Sequence, residues 1–345
     1  MSVFDHDAFD DHEEVHFFRD AASGLRAIIA VHQRVNGVAG GGVRMWPYES
    51  EAAALTDALR LSQAMSYKMA LAGMPLGGGK SVILGDARRD KSAALFHAFG
   101  RAVESLGGSY ICGEDVGTTP ADMALIHQVT DHVVGLEGAS GDTSPATGAG
   151  VFQGLRAAVK HKLGREDLAG LTVAVQGAGN VGRHLAGHLK AAGCRILVAD
   201  VNPDAVRRAV AEFDATSVPA DEIITADADV LAPCALGAVL NQETIPNIKA
   251  GIVCGGANNQ LGGPRDGVAL AGRGILYAPD YVVNAGGVMS ATREKVADRV
   301  DPAEIRRLTD GIYDTCLRIF ARAEAEGLAA SEAADREARA ILGRD

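Results

Sequence analysis

Leu171-Thr172-Val173-Ala174-Val175-Gln176-Gly177-Ala178-Gly179-Asn180-Val181-Gly182 is the stretch whose reading decides the fold. An apolar, β-rich run at 171–176 feeds straight into three glycines spaced G-x-G-x-x-G, and a helical pattern over 181–192 leaves them. Three glycines at that spacing arise by chance in a glycine-rich chain, so the strand before them and the helix after them make the motif specific. The first, Gly177, allows a tight turn; the second, Gly179, lets backbone approach a pyrophosphate; the third, Gly182, lets the helix pack closely on the sheet. The helix start at Asn180 and Val181 then receives the anion. A second strand at 195–199 runs into Asp200, 18 residues after Gly182. A carboxylate there accepts from both ribose hydroxyls and repels a 2′-phosphate, so the expected cofactor is NAD rather than NADP. The competing role for Asp200 is a cap on the segment that begins at Asn202-Pro203.

Downstream, short apolar runs at 230–231, 252–253 and 275–276 continue the alternation of strand and helix, which predicts a Rossmann-type doubly wound sheet. Upstream lies a second alternating unit. Short β-rich stretches between 15 and 43 are divided by Ser23-Gly24 and Asn36-Gly37. Ser50 reads as an N-cap for a helix carrying Leu55, Leu59, Ser62, Met65 and Met69, stopped by Gly73 and Pro75. A strand at 81–84, a helix at 93–105, a strand at 109–112 and a helix from Pro120 follow. The fold class is therefore α/β, with two domains separated by a cleft. The boundaries fall at 1–134 for the first domain, 135–147 for a hinge within the Gly, Ser, Thr and Pro-rich segment 135–150, and 148–319 for the dinucleotide domain. From Pro302 onward Ile305, Leu308, Ile312, Cys316 and Ile319 share one helical face, and a last helix spans 331–342; the helices of 320–345 are expected to pack back on the first domain.

A length of 345 residues suits two domains at about 150 residues each. The 33 Lys and Arg against 44 Asp and Glu give a net charge of -11, which argues against nucleic acid as a partner. Acidic residues gather at Asp5, Asp7, Asp10, Asp11, Glu13, Glu14 and Asp20, which reads as a solvated face. No basic segment precedes an apolar core at the N-terminus and no run of 18 apolar residues occurs, so the expectation is a cytoplasmic protein with no membrane partner. Cys112, Cys194, Cys234, Cys254 and Cys316 are spread widely without a CxxC pair, as reduced thiols would be, and no metal site is expected. His184 and His188 have i, i+4 spacing but lack the glutamate of HExxH, so packing or solvent contact is the favoured role.

The 42 glycines exceed ordinary usage, and a second cluster, Gly77-Gly78-Gly79-Lys80-Ser81, invites comparison with a nucleotide P-loop. The match fails: Met74 stands where the first P-loop glycine belongs, and the segment before reads as helix rather than strand. What remains is a lysine delivered by bare backbone at the start of a strand. Enclosed, it would have its pKa pushed down by desolvation and act near neutral pH; unenclosed, it is a surface lysine beside a flexible turn. Lys68 falls three positions after Met65 and seven after Leu61 on an otherwise apolar helical face, and such a cation needs an anion. Asp115 follows a strand at the carboxyl end, where α/β sheets place ligand-binding groups. Two lysines and a carboxylate from different elements suit acid/base work on a small carboxylate substrate.

In order along the chain come Gly41-Gly42-Val43-Arg44-Met45-Trp46, Met65-Ser66-Tyr67-Lys68, Gly77-Gly78-Gly79-Lys80, Glu114-Asp115-Val116-Gly117-Thr118, Ser144-Pro145-Ala146-Thr147, Ala232-Pro233-Cys234-Ala235, Ala257-Asn258-Asn259 and Asn284-Ala285-Gly286-Gly287. This series resembles the leucine, phenylalanine and valine dehydrogenases, relatives of glutamate dehydrogenase, over residues from about 15 to 340. The resemblance implies NAD-dependent, reversible oxidative deamination of an L-amino acid to its 2-oxo acid and ammonium by a homo-oligomer, whose first domain binds substrate and assembles. It implies that Lys68 holds the substrate carboxylate, Lys80 polarises a water or carbinolamine oxygen, and Asp115 is the general acid/base. It further implies that Thr147 contacts the nicotinamide amide, Cys234 and Ala235 lie along the cofactor, Asn259 or Asn258 reaches substrate or nicotinamide, and Asn284 borders the same site. A local turn or cap is the bland alternative for Thr147 and the asparagines.

The resemblance assigns Gly41 and Gly42 to the substrate segment and side-chain selection to Gly40, Met65, Gly113, Val134, Val288 and Ala291. None of these is charged, which argues against glutamate, whose second carboxylate needs a cation. Gly40, Gly113 and Ala291 replace bulkier residues of the leucine dehydrogenase pattern, which enlarges the expected pocket toward phenylalanine; each lost methylene is worth about 1–3 kcal/mol of discrimination. The rival outside enzymology is a regulatory NAD-binding protein, which would keep Gly177, Gly179, Gly182 and Asp200 but has no use for both lysines and Asp115. A methylene-tetrahydrofolate-type or malic-type dehydrogenase is the rival enzyme.

Overall fold

The computed structural model of the chain describes residues 2–136, 142–296 and 301–344; the centre of the expected hinge, 137–141, lies outside them. The chain divides into two compact units, Met1–Gly141 with Ala291–Arg299 and Asp142–Ser290 with Val300–Asp345.

The first unit runs β1 (Glu14–Asp20), β2 (Leu25–Gln33), β3 (Ala39–Trp46), α1 (Glu51–Leu71), β4 (Gly77–Leu84), α2 (Ala93–Glu104), β5 (Tyr110–Glu114) and α3 (Pro120–His127). Its sheet has the order β1-β2-β4-β3-β5, with β3 parallel to both β4 and β5 and β2 antiparallel to its neighbours. Period-2 alternation divides the core between the two faces. Ile28, Ala30 and Val82 meet Ala54, Ala58 and Leu59 of α1. Ala27, Ile29, Val43, Met45 and Ile83 meet Phe96, Phe99, Met123 and Ile126 of α2 and α3. Ser50 caps α1 by accepting the Ala53 amide at 3.1 Å, as its sequence position predicts.

The Gly77-Gly78-Gly79 cluster is not a loop. All three residues belong to β4, and the room a side chain would need is taken by backbone at Gly77 and Gly78 and by the Tyr110 ring at Gly79. A Cβ on Gly78 would lie 1.9 Å from the Ser66 amide nitrogen of α1, and one on Gly77 would lie 1.9 Å from the Gln33 carbonyl oxygen. The helix therefore rests directly on the strand, fixed by Gly78 donating to Ser66 Oγ at 3.1 Å.

The second unit runs α4 (Ser144–Leu163), β6 (Thr172–Gln176), α5 (Asn180–Ala191), β7 (Arg195–Ala199), α6 (Pro203–Phe213), β8 (Thr216–Ser217), β9 (Val230–Pro233), β10 (Ile252–Val253), α7 (Pro264–Gly272), β11 (Leu276–Tyr277), α8 (Asp280–Val283), α9 (Gly286–Val296), α10 (Pro302–Glu326) and α11 (Ala330–Leu342). The parallel sheet has the order β11-β10-β9-β6-β7-β8. The chain builds outward from β6 to one side and then from β9 to the other, so the strand order reverses between them. Crevices at such a switch point are where open α/β sheets bind ligands.

Two expectations change here. The Gly, Ser, Thr and Pro-rich segment is helical from Ser144 onward, with Pro145 in the first turn. Its helical glycines serve close packing: a Cβ on Gly148 would lie 2.7 Å from His184 Cβ, and one on Gly150 would lie 2.7 Å from the Val283 carbonyl oxygen. The C-terminal helices belong to the second unit rather than the first. α10 lies along α4, where Phe320 packs on His161 and Arg156 sits over the Tyr313 ring, and α11 packs on α10, α7 and β11. Among the described residues no helix is long and apolar enough to cross a membrane.

Candidate active site

In the first unit the parallel strands β4, β3 and β5 bring together a chain of alternating charges. Lys80 on β4 places Nζ 2.8 Å from Asp115 Oδ2, and Arg44 on β3 places Nε 3.0 Å from the same oxygen. Arg44 Nη1 donates to Asp57 Oδ2 of α1 at 3.0 Å, and Tyr48 donates to that oxygen at 2.5 Å. Asp115 is one residue past β5, its amide donating to Thr118 Oγ1 at 3.0 Å while that hydroxyl donates to the Val43 carbonyl at 2.9 Å. Gly117 closes this turn at φ +83, with no room for a side chain against the Met45 carbonyl. Gly42 is open for a related reason: a Cβ there would lie 2.7 Å from Asp115 Cβ and 3.0 Å from Lys80 Nζ.

Lys80 is 5% exposed, so it is the enclosed lysine and not the surface one. Burial drives its pKa down, with Asp115 opposing and Arg44 adding to the fall. Burial also works against the Asp115 carboxylate, but Lys80 and Arg44 outweigh it and hold the pKa below the usual value. A group tuned downward toward neutrality is thus found at Lys80, whereas Asp115 is kept ionised. For Arg44 the cost of burial is exceeded by Asp115 and Asp57, which raise its pKa.

Met65 and Lys68 lie on α1, and Gly40, Gly41 and Gly42 on β3. A Cβ on Gly41 would lie 1.8 Å from the Gly79 carbonyl oxygen, so this glycine serves strand packing. Gly40 is different: the nearest atoms to its Cβ position are Met69 Cε at 3.5 Å and Leu76 Cδ1 at 3.7 Å, ordinary contact distances. Gly113 on β5 faces Val134, whose Cγ2 is 3.1 Å from the Cβ position, so part of the space expected from the missing side chain is taken by Val134.

In the second unit the glycine turn has the geometry a pyrophosphate requires. Gly177 turns at φ +100 against Ala235, and a Cβ on Gly182 would lie 2.0 Å from the Gly177 carbonyl oxygen. Gly179 has nothing within 4 Å of its Cβ position, and no side chain caps the helix that begins at Asn180. An anion at this helix start would meet open first-turn amides, so these residues fit a dinucleotide. Asp200 Oδ2 accepts the Ala178 amide at 2.7 Å and Oδ1 accepts the Asn202 amide at 2.8 Å, while Asn202 itself caps α6. Cys234 follows β9 beside the turn, its Sγ accepting the Gly256 amide at 3.4 Å; burial pushes this thiol up to about 11.

Asn284 is buried and donates through Nδ2 to Asn258 Oδ1 at 2.7 Å, and its own Oδ1 has no hydrogen-bond partner among the described residues. Asn259 is exposed, in the left-handed region at φ +52. Thr147 is buried in the first turn of α4 and donates to the Thr143 carbonyl at 3.1 Å. Val288 and Ala291 lie on α9, both half-buried. His188 stacks on Phe152 with centroids 5.2 Å apart, a packing role, and no cluster among the described residues could hold a metal.

Arg44, Asp57 and Tyr48 are the members of the charge chain that reading the sequence did not single out. Two signals were available: Arg44 is two positions from Gly42 and so shares its face of β3, and Asp57 is eleven positions before Lys68 on one stripe of α1.

A family profile described as Glu/Leu/Phe/Val dehydrogenase, dimerisation domain, matches residues 12–132, and one described as Glutamate/Leucine/Phenylalanine/Valine dehydrogenase matches 138–203 and 199–334. The chain belongs to this family. It is an amino-acid dehydrogenase with NAD as cofactor. It is 48% identical over 339 residues to a leucine dehydrogenase of Bacillus cereus, covering 97% of this chain and 92% of the relative. A valine dehydrogenase of Streptomyces coelicolor is 46% identical over 331 residues, covering 94% and 90%. Among solved structures, L-tryptophan dehydrogenase from Nostoc punctiforme superposes with a TM-score of 0.85 at 42% identity, over 96% of each chain. This dehydrogenase is thus similar to enzymes whose named substrates are aliphatic in some cases and aromatic in others, and the regulatory and folate-type or malic-type rivals fall away.

Proposed function

We propose that the enzyme deaminates a hydrophobic L-amino acid with a large or aromatic side chain, releasing the 2-oxo acid and ammonium, and runs the reverse amination. The observation that carries the acid–base part is the buried Lys80–Asp115 contact, a lysine with lowered pKa against a carboxylate held ionised. Lys68 holds the substrate carboxylate, as the family resemblance implies. Asp115, as carboxylate, takes the proton from the substrate amine and from the attacking water. Lys80 stabilises the oxygen that develops on the carbinolamine, and the fall in its pKa caused by burial eases release of its proton.

Bound NAD supplies the acceptor for the hydride leaving the substrate Cα. Gly177, Gly179, Asn180, Val181 and Gly182 hold its pyrophosphate, Asp200 its ribose, and Thr147, Cys234, Ala235, Asn259 and Asn284 the nicotinamide end. The unpartnered Asn284 Oδ1 supports the last assignment, since a buried acceptor costs about 1–3 kcal/mol unless something donates to it. Gly40, Met65, Gly113, Val134, Val288 and Ala291, the positions to which the resemblance assigns side-chain selection, carry no charge. The enzyme acts as a cytoplasmic homo-oligomer, a reading supported by free cysteines and by the dimerisation-domain profile over the first unit. The catalytic assignment is tested by Lys80→Ala and Asp115→Asn. Each should remove turnover while NADH binding, measured by fluorescence titration, stays within about twofold; lost NADH binding contradicts the assignment.

A further inference from the structure

The charge chain behind the acid–base pair has a shape that simple neutralisation does not require. Lys80 and Arg44 both bond one oxygen of Asp115, Oδ2. Arg44 does so through Nε and uses Nη1 for Asp57, so the planar fork spans two carboxylates and its orientation is set at both ends. Asp57 is in turn held by Tyr48, from the segment that joins β3 to α1. The Asp115 backbone is tied through Thr118 to Val43, the residue before Arg44 on the same strand. Main chain and side chain of Asp115 are thus both referenced to β3. No side chain can intervene, because the position between Asp115 and Lys80 is Gly42.

We propose that Arg44, braced by Asp57, is a positioning residue of the deamination, holding Oδ2 of Asp115 beside Lys80 so that Oδ1 is the oxygen that exchanges the proton. This rests on the reading of Lys80 and Asp115 as the acid–base pair. The same cation acts on both partners in the useful sense: it keeps Asp115 ionised and disfavours a proton on Lys80. Asp57 acts in the opposite sense on Lys80. The charged and titratable groups near Asp115 are Lys80 on β4, Arg44 on β3, Tyr110 and Glu114 on β5, Asp57 on α1 and Tyr48. Lys68 shares the Asp57 stripe of α1. Arg44 and Asp57, the two members of the brace, can be neutralised while Lys80, Asp115 and Lys68 stay in place.

The test compares pH profiles of kcat/KM for the full chain with NAD and L-leucine or L-phenylalanine, in wild type, Arg44→Met, Arg44→Lys, Asp57→Asn and Asp115→Asn. Removing the Arg44 cation raises the pKa of both Asp115 and Lys80, so Arg44→Met moves the acid limb to higher pH. Its kcat falls about 100-fold, with KM for NAD changed less than about twofold. Removing the Asp57 anion does the reverse, so Asp57→Asn moves the acid limb to lower pH. Arg44→Lys keeps the charge but cannot bridge both carboxylates, so its limb stays near wild type while kcat falls about tenfold. If Arg44→Met fails to fold, the opposite-sign shift of Asp57→Asn and the unmoved limb of Arg44→Lys decide the matter. Limbs that stay put, or move the same way, in the Arg44→Met and Asp57→Asn variants overturn the proposal, provided that Asp115→Asn is inactive. An active Asp115→Asn overturns the acid–base reading itself.

Discussion

The Asp200 carboxylate and the Ala178 amide are joined at 2.7 Å, which ties the end of β7 to the glycine turn after β6. The other Asp200 oxygen accepts the Asn202 amide, yet the cap of α6 is Asn202 itself. Asn202 thus takes the cap, while Asp200 shapes the glycine turn and stands at the carboxyl end of β7, where α/β sheets place ligand-binding groups.

Asp200→Ala is expected to raise the KM for NAD about tenfold, the scale of one hydrogen bond to a charged group, with kcat nearly unchanged. The ratio of NADP to NAD use should rise, because a repelling carboxylate is gone. Steady-state kinetics with both cofactors check this, and an unchanged KM for NAD contradicts the assignment.

Gly78→Ala and Gly40→Ala should separate sharply in stability although both sit in the same sheet. At Gly78 a methyl group meets the Ser66 backbone nitrogen at 1.9 Å, and α1 must lift off β4. A loss of about 3 kcal/mol or more is expected, the upper end for overpacking. At Gly40 the nearest atoms are at 3.5 Å and 3.7 Å, so the change should stay within about 1 kcal/mol. Urea unfolding of the two variants gives the comparison.

Gly40→Leu sets a bulky side chain against Met69 and Leu76, which lie 3.5 and 3.7 Å from the Cβ position, and is expected to cut kcat/KM for L-phenylalanine about tenfold more than for L-leucine. Gly113→Ala should shift preference in the same direction but less, because Val134 already occupies part of that space at 3.1 Å. Equal losses for both substrates in both variants would show that these positions do not select the side chain.

What could be read from the sequence was local. The 171–182 stretch carries strand, turn and helix within twelve positions, and Ser50 signals its helix through its own hydroxyl. The triple glycine was harder to interpret because a run without side chains shows no period, and its partners, Ser66 and Gln33, are remote in sequence. Segment 144–150 has linker composition because α4 needs small residues where it meets α5 and α8, a demand set by tertiary packing. Arg44 escaped notice for the same reason: its contact with Asp115 exists only because β3 pairs with β5.

The proposed preference for an uncharged, large amino acid rests on the side-chain-selecting positions that the family resemblance assigns. Gly40, Met65, Gly113, Val134, Val288 and Ala291 provide no cation for a second carboxylate. The most direct measurement is the initial rate of NADH formation by the purified enzyme with L-leucine, L-valine, L-phenylalanine, L-tryptophan and L-glutamate at equal concentration. The highest rate is expected with L-phenylalanine or another large hydrophobic substrate, and a negligible rate with L-glutamate. L-glutamate as the best substrate would contradict the proposed preference.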